Sequence, residues 1–283
     1  MRLDTGHARQ VAVEAAEAAG HLLLEGRRKH FDIQAKGTAG DLVTDLDRRS
    51  EDLIISRIRR DFPGHRIVAE ESGVLDAADD RWTWLVDPLD GTNNFAVKLP
   101  IYVVGICLCE DGVPIVGVVY DPENGETWSA VRGEGALGPT GTARRAPYVP
   151  ARHGPNIAWT QGHTVHKDDG TARALKMILM QGSRRLYQLW APLMSWAMLA
   201  RGDIDGFIGY RAGIVDLPAG MLIAQEAGMA VRNLDGTPYD EWLDPTSAER
   251  SFVAGHPELI DDLLTQVKTA HAVQGRLEEL FSP

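Results

Sequence analysis

The stretch VDPLDGTNNF at residues 86–95 sets two carboxylates, Asp87 and Asp90, on either side of Pro88 and follows them with Gly91 and Thr92. Asp, Pro, Gly and Asn are all turn residues, so an ordinary turn would use the same letters. The alternative is that the carboxylates hold a cation. Pro88 fixes φ and narrows the chain, so both carboxylates and the Leu89 carbonyl can face one site. Gly91 permits an unusual backbone angle and a close approach. Thr92 adds a hydroxyl, and the amides of Gly91 and Thr92 could donate to an anion. Acidic ligands beside free amides in one loop read as a metal-phosphate site.

Three other places carry carboxylates that the local pattern does not call for. Asp41 and Asp47 lie in GDLVTDLD, Glu70 and Glu71 follow the apolar IVA, and Asp216 precedes a helical pattern. Taken singly, Asp41 and Asp216 could cap helices, Asp87 and Asp90 could form a turn, and Glu71 could be a solvated strand end. Together they sit at strand ends and helix starts, where side chains converge on clefts. Oxygen donors without Cys or His neighbours suit Mg²⁺, with Mn²⁺ or Ca²⁺ as alternatives. Left empty, such a cluster repels itself.

The elements that must position these groups are legible in outline. Apolar periodicity predicts helices over residues 8–24 and 44–60, the second ended by Pro63-Gly64. Short apolar runs at 66–69 and 83–86 read as strands. From 102 to 131, YVVGICLC, VPIVGVVY and ETWSAV are separated by turn residues, the pattern of an antiparallel meander. The Gly- and Pro-rich segment 133–155 is the candidate boundary between an N-terminal half, 1–140, carrying most of the acidic groups, and a C-terminal half, 141–283. In that second half, helices are expected at 171–181, 191–201, 217–227 and 257–267, and strands at 206–208, 229–233 and 251–254. Helices and strands mix throughout around an antiparallel centre, which implies a layered α/β arrangement.

Composition sets further bounds. A chain of 283 residues can bury a substantial core. The formal net charge of -11 argues against a general nucleic-acid or anionic-membrane binder. It leaves an anionic substrate open, because bound cations reverse the local field. Cys107 and Cys109, two apart in an apolar strand, point the same way and read as buried thiols of a reducing compartment. The N-terminus lacks a signal-peptide core, and no apolar run is long enough to cross a bilayer. The expectation is a cytoplasmic protein.

DLVTDLD at 41–47, VAEESG at 68–73, WLVDPLDGTNNF at 84–95 and a weaker VDLPAGMLIAQEAG at 215–228 together resemble the inositol monophosphatase family of Mg²⁺-dependent, lithium-sensitive phosphomonoesterases. The resemblance runs over most of the chain. It implies an α-β-α-β-α layered sandwich, frequently a homodimer, acting on a small phosphate ester with two or three Mg²⁺ ions. It implies that Glu70, Asp87, the Leu89 carbonyl, Asp90 and Asp216 are metal ligands. Thr92, oriented by Asp47 and helped by Glu70, would position and partly deprotonate the attacking water. Lys36 falls where the family often has a lysine near the site, and Gly91, Thr92 and Asp216 would also meet the substrate.

The departures cluster in the substrate half. VDLPAG at 215–220 replaces the family's common Trp-Asp followed by Ala-Ala-Gly. Leu189-Trp190-Ala191-Pro192 stands where the family has a run of small residues, so the Trp190 indole either points into the core or reshapes the pocket and stacks on a sugar or base. The acidic residue that holds an inositol hydroxyl in some members is not found; Arg211 lies near instead, as a fork for a carboxylate or second phosphate or as a surface charge. These differences open the substrate to another sugar phosphate, fructose bisphosphate, a nucleotide 2′- or 3′-phosphate, histidinol phosphate or a specialised-metabolite phosphate. A non-catalytic binding protein is the remaining alternative. His163 and His166 read as solvated loop residues, and Arg144-Arg145 is too small a basic pair to indicate nucleic acid.

Overall fold

The computed structural model describes residues 3–36, 41–75, 77, 79–144, 147–240 and 249–281. The chain opens with helix α1 (Thr5–Arg27), a hairpin of strands β1 (Ile33–Lys36) and β2 (Asp41–Thr44), and helix α2 (Asp45–Asp61). Strands β3 (His65–Ala69), β4 (Gly73–Leu75) and β5 (Asp79–Asp90) follow, then the short helix α3 (Thr92–Ala96). The meander is β6 (Val103–Glu110), β7 (Val113–Asp121) and β8 (Glu126–Val131), extended by β9 (Gly135–Gly138) and β10 (Gly141–Ala143). The remainder is β11 (Asn156–Gln161), α4 (Gly170–Gly182), β12 (Arg185–Tyr187), α5 (Pro192–Arg201), β13 (Gly206–Gly213), α6 (Pro218–Glu226), β14 (Ala230–Arg232), β15 (Glu249–Gly255) and α7 (Ile260–Phe281).

Among the described residues, one sheet has eight strands in the order β10-β9-β8-β7-β6-β5-β3-β4, and a second has five in the order β12-β11-β13-β15-β14. Helices α1 and α2 cover one face of the larger sheet; α5 and α6 lie between the two sheets; α4 and α7 cover the far face of the smaller one. The result is a five-layer α-β-α-β-α sandwich with three apolar clusters, the middle one spanning both sides of the α5–α6 layer. The buried stripe of α1 is Ala8, Ala12, Ala15, Ala16 and Ala19 with Val11 and Leu23, small enough for the helix to lie close on the sheet. Asp4 caps it by accepting from the His7 amide at 2.9 Å.

Several elements differ from expectation. The opening motif is no turn: β5 runs through Asp90, and its pairing with β6 slips between Asp87 and Asp90. Pro88 has no N–H for the ladder, so an extra residue bulges out there. Asp41 lies in β2 and Thr44 caps α2, so Asp41 is not the cap. Helix α7 continues to Phe281, past the expected end at 267, because the residues there are mostly good helix formers. Within the Gly-rich 133–155 segment, β9 and β10 form a hairpin on the edge of the larger sheet. Cys107 and Cys109 are both buried and free, with their sulfurs 3.9 Å apart.

Helix α6 touches the larger sheet at Gly117, where a Cβ would stand 2.5 Å from the Ala219 carbonyl oxygen. Backbone cannot yield there as a flexible side chain would. Gly117→Ala is therefore expected to lift α6 from the sheet and lower the thermal midpoint by on the order of 5 °C, the scale of an overpacked core. Differential scanning calorimetry checks this, and an unchanged midpoint would mean the contact is not tight.

Candidate active site

The bulge at Pro88 turns Asp87, Leu89 and Asp90 toward a cavity of about 40 Å³ that Glu70, Gly91, Thr92 and Asp216 also line. Neighbouring elements pin the bulge. Ser50 on α2 donates its hydroxyl to the Pro88 carbonyl at 2.9 Å, and the Leu89 amide donates to Asp87 Oδ1 at 3.1 Å. Gly91 has φ +95°, and a Cβ on it would stand 2.7 Å from the Ile101 carbonyl oxygen, so only glycine fits between the strand and α3. Its carbonyl then accepts from the Phe95 amide, starting the helix that carries Thr92.

Asp47 reaches the site through a capping box. Thr44 Oγ1 accepts from the Leu46 and Asp47 amides, while Asp47 Oδ2 accepts from the Thr44 amide at 2.8 Å and from its hydroxyl. That leaves Asp47 Oδ1 for Thr92, whose Oγ1 lies 2.9 Å from it and 2.9 Å from the Leu89 carbonyl oxygen. The single hydroxyl proton serves one of these acceptors at a time. Burial raises the Asp47 carboxyl to about 6 against the bonds from Thr44 and Thr92 that favour its charge.

Glu70 follows β3, and the buried Glu51 on α2 fixes its loop by accepting from the Glu71 amide (2.8 Å) and the Ser72 amide (2.9 Å). Lys36, at the end of β1, donates to Glu70 at 3.0 Å and Glu71 at 2.6 Å. Burial pushes the lysine pKa down, but attraction to Glu70 and the bonds to both glutamates outweigh it and hold the ammonium charged. Asp216 sits in the turn before α6. It does not cap that helix, whose N-cap is Leu217 without a side-chain bond.

The electrostatics follow from crowding. Burial, then the charges of Glu70, Asp90 and Asp216, push the Asp87 carboxyl well above the ordinary range. Asp90 rises for the same reasons, burial and Asp216 first, partly offset by the Leu193 and Met194 amides at 2.7 and 3.3 Å from its Oδ2. Carboxylate, carbonyl and hydroxyl oxygens dominate the wall, a donor set that fits a hard divalent cation. Among the described residues no three His, Cys, Asp or Glu side chains form a ready-made coordination shell; the carboxylates stand around the cavity rather than closing on one point.

On the substrate side, Trp190 lines the cavity and is 43% exposed, so it does not point into the core. Arg211 is placed differently. Its guanidinium pairs with Glu249 at 2.6 Å, its amide donates to Ser251 Oγ, and it lines neither this cavity nor the cleft beside it. His163 is an exposed turn residue, as its polar loop setting predicts, and it also stands on the rim with its ring 6.1 Å from that of Trp190. Parallel pairing of β11 with β13 puts it there: Gly162, just past the strand, donates to the Tyr210 carbonyl at 3.1 Å. Asn93 also lines the cavity. The spacing of His163 and His166 could suggest a metal pair but did not tie His163 to this rim, because its place depends on a strand pairing nearly fifty residues away.

Residues 4–272 match the inositol monophosphatase family. The chain belongs to that family. An inositol-1-monophosphatase of Synechocystis is 36% identical over 234 residues, 82% of this chain and 80% of the relative. A protein of Pasteurella multocida named Nus factor SuhB is 32% identical over 261 residues, 91% of this chain and 94% of the relative. Among solved structures, the extragenic suppressor protein SuhB of Bartonella henselae superposes with a TM-score of 0.82 at 28% identity, covering 93% of this chain and 98% of that one. The inositol monophosphatase of Anabaena gives 0.79 at 28% identity, covering 94% and 97%. This member of the family thus shares its mixed α/β fold with proteins of both names.

Asp87 and Asp90 have folded pKa values above their unfolded ones. The stability tied to their protonated forms is present below about pH 4 and lost as pH rises through the folded values; Asp47, near 6, adds to the same trend. With chelator present, the thermal midpoint should therefore fall as pH rises from about 4 through about 6. Asp90→Asn keeps an oxygen for the Leu193 amide and removes one charge, so it should flatten that fall. A midpoint-versus-pH scan of both proteins checks this, and identical slopes would count against electrostatic strain.

Proposed function

We propose that this chain is a Mg²⁺-dependent phosphomonoesterase that releases phosphate from a small phosphorylated alcohol by attack of water. The reading is carried by the convergence of Glu70, Asp87, Asp90 and Asp216 with Thr92 on one cavity. Polyol and sugar phosphates are the default that the relatives named inositol monophosphatase suggest. Glu70, Asp87, the Leu89 carbonyl, Asp90 and Asp216 would hold the ions, which would supply neutralisation of the phosphoryl oxygens and activation of the water.

The chain's own residues supply orientation and a proton path. With the Thr92 proton donated to Asp47 Oδ1, the Thr92 oxygen is free to accept from a water in the cavity. A proton leaving that water passes to Thr92 while the Thr92 proton passes to Asp47, whose carboxyl, raised to about 6, suits a base at neutral pH. Lys36 screens Glu70 and fixes its direction through the 3.0 Å bond. Gly91, held at φ +95°, keeps the start of α3 and Thr92 against the cavity.

A second reading, a binding protein without turnover, is favoured by the name Nus factor carried by several relatives. The formal charge of -11 speaks against broad nucleic-acid contact in such a role. Phosphate release decides between them. A panel of polyol, sugar, nucleotide and amino-alcohol phosphates with Mg²⁺, then with Mn²⁺ or lithium added, should give turnover on at least one ester. Thr92→Ala should lower kcat by on the order of 10²–10⁴ with the fold intact. No release from any ester, with Mg²⁺ binding seen by calorimetry, would favour the second reading.

A further inference from the structure

Beside the carboxylate cavity lies a cleft of about 400 Å³, lined by Asn93, Val97, Gln161, His163, Lys167 and Trp190 among others. The two share Asn93, His163 and Trp190, so they form one depression with a small acidic end and a larger compartment. The larger one has the volume of an ordinary small-molecule pocket. On the phosphatase reading, on which this inference rests, the acidic end takes the phosphoryl group and the cleft takes the alcohol.

Trp190 stands at the junction with two unfavourable features. Its φ is +53°, a left-handed backbone angle that is costly for a bulky side chain, and its indole is 43% exposed. Contacts on both sides hold it there. Asn94 Nδ2 donates to the Leu189 carbonyl at 2.6 Å, and Asp90 accepts the Leu193 amide at 2.7 Å, just after Pro192 begins α5. Among the described residues Trp190 belongs to none of the apolar clusters and its one ring contact is with His163, so an indole face offered to a ligand is what repays this conformation.

The rest of the wall indicates what kind of ligand. A polyhydroxylated ring carries a hydroxyl on nearly every carbon and needs a partner for each on burial. Of the polar side chains on this wall, Asn93, Asn94, Gln161, His163 and Lys167, the Asn94 amide already donates to the Ile101 and Leu189 carbonyls, and Val97, Val165 and the indole supply the apolar part. An aromatic plate with polar groups at its margin suits a flat ring with polar atoms at its edge. We infer that the phosphate ester's alcohol carries a planar heteroaromatic ring that stacks on Trp190, its edge meeting Asn93, Gln161 and Lys167.

The test is calorimetry of three phosphonates with the Mg²⁺-loaded protein: benzylphosphonate, cyclohexylmethylphosphonate and butylphosphonate. The benzyl compound should bind about tenfold more tightly than the cyclohexylmethyl one, the scale of one aromatic contact. In Trp190→Gly, where glycine adopts φ +53° without strain, that ratio should fall to near one; Trp190→Asn, which also tolerates this angle, serves if the glycine variant misfolds. Equal affinity for the two rings, a ratio that survives either variant, or no binding of the benzyl compound would overturn the inference. A cyclohexylmethyl compound that binds tighter in a Trp190-dependent way would overturn it in favour of a sugar face. Aromatic preference without phosphate release from any ester would instead sink the phosphatase reading and leave the ring-binding cleft.

Discussion

Like charges crowd around a cavity of about 40 Å³, and each carboxylate there must be held against the repulsion of the others. A flexible loop would relax by swinging its side chains into water. This fold prevents that by taking every carboxylate from a braced backbone. Asp87 and Asp90 lie on β5, between β3 and β6 in the larger sheet. Glu70 sits in a loop tied down by the buried Glu51, and Asp216 leads into α6, which is wedged between the two sheets. Stability contributed by the three apolar clusters offsets the electrostatic strain.

Caps and bulges serve as site architecture here as much as chain punctuation. The Thr44–Asp47 capping box ends β2 and starts α2, and it also consumes one Asp47 oxygen so that the other can face Thr92. Pro88 interrupts the β5–β6 ladder, and the interruption is what brings Asp87, Leu89 and Asp90 to one side. In both places a local backbone rule sets the aim of an acidic side chain.

Most of the acidic site was legible because its information is local. A proline between two aspartates, a glycine and a threonine state their chemistry within six residues, and the family resemblance joined the distant pieces. The meander was legible for the same reason, since its turns carry their own Asp, Asn and Gly. What depended on pairing across long separations was not. His163 reaches the rim through the parallel β11–β13 pair, Arg211 meets Glu249 through the β13–β15 register, and β12 adds to β11 in parallel. The Pro88 bulge sits between these cases: its letters were visible, but a turn and a bulge differ only in whether a neighbouring strand is present.

Asp90 belongs to two structures at once. One face of its carboxylate is part of the acidic cavity, and the other receives the first amides of α5, the helix that begins two residues after Trp190. Its charge therefore has two claimants. A charge placed on the cavity side would be felt at the oxygen that anchors the helix start, and a load on the Trp190 segment would pull on that same oxygen. Thermodynamic reciprocity requires that whatever one occupant does to the other's affinity be returned in equal measure. The acidic cavity and the Trp190 segment are thus coupled through a single carboxylate, and a change at one end of the depression is felt at the other.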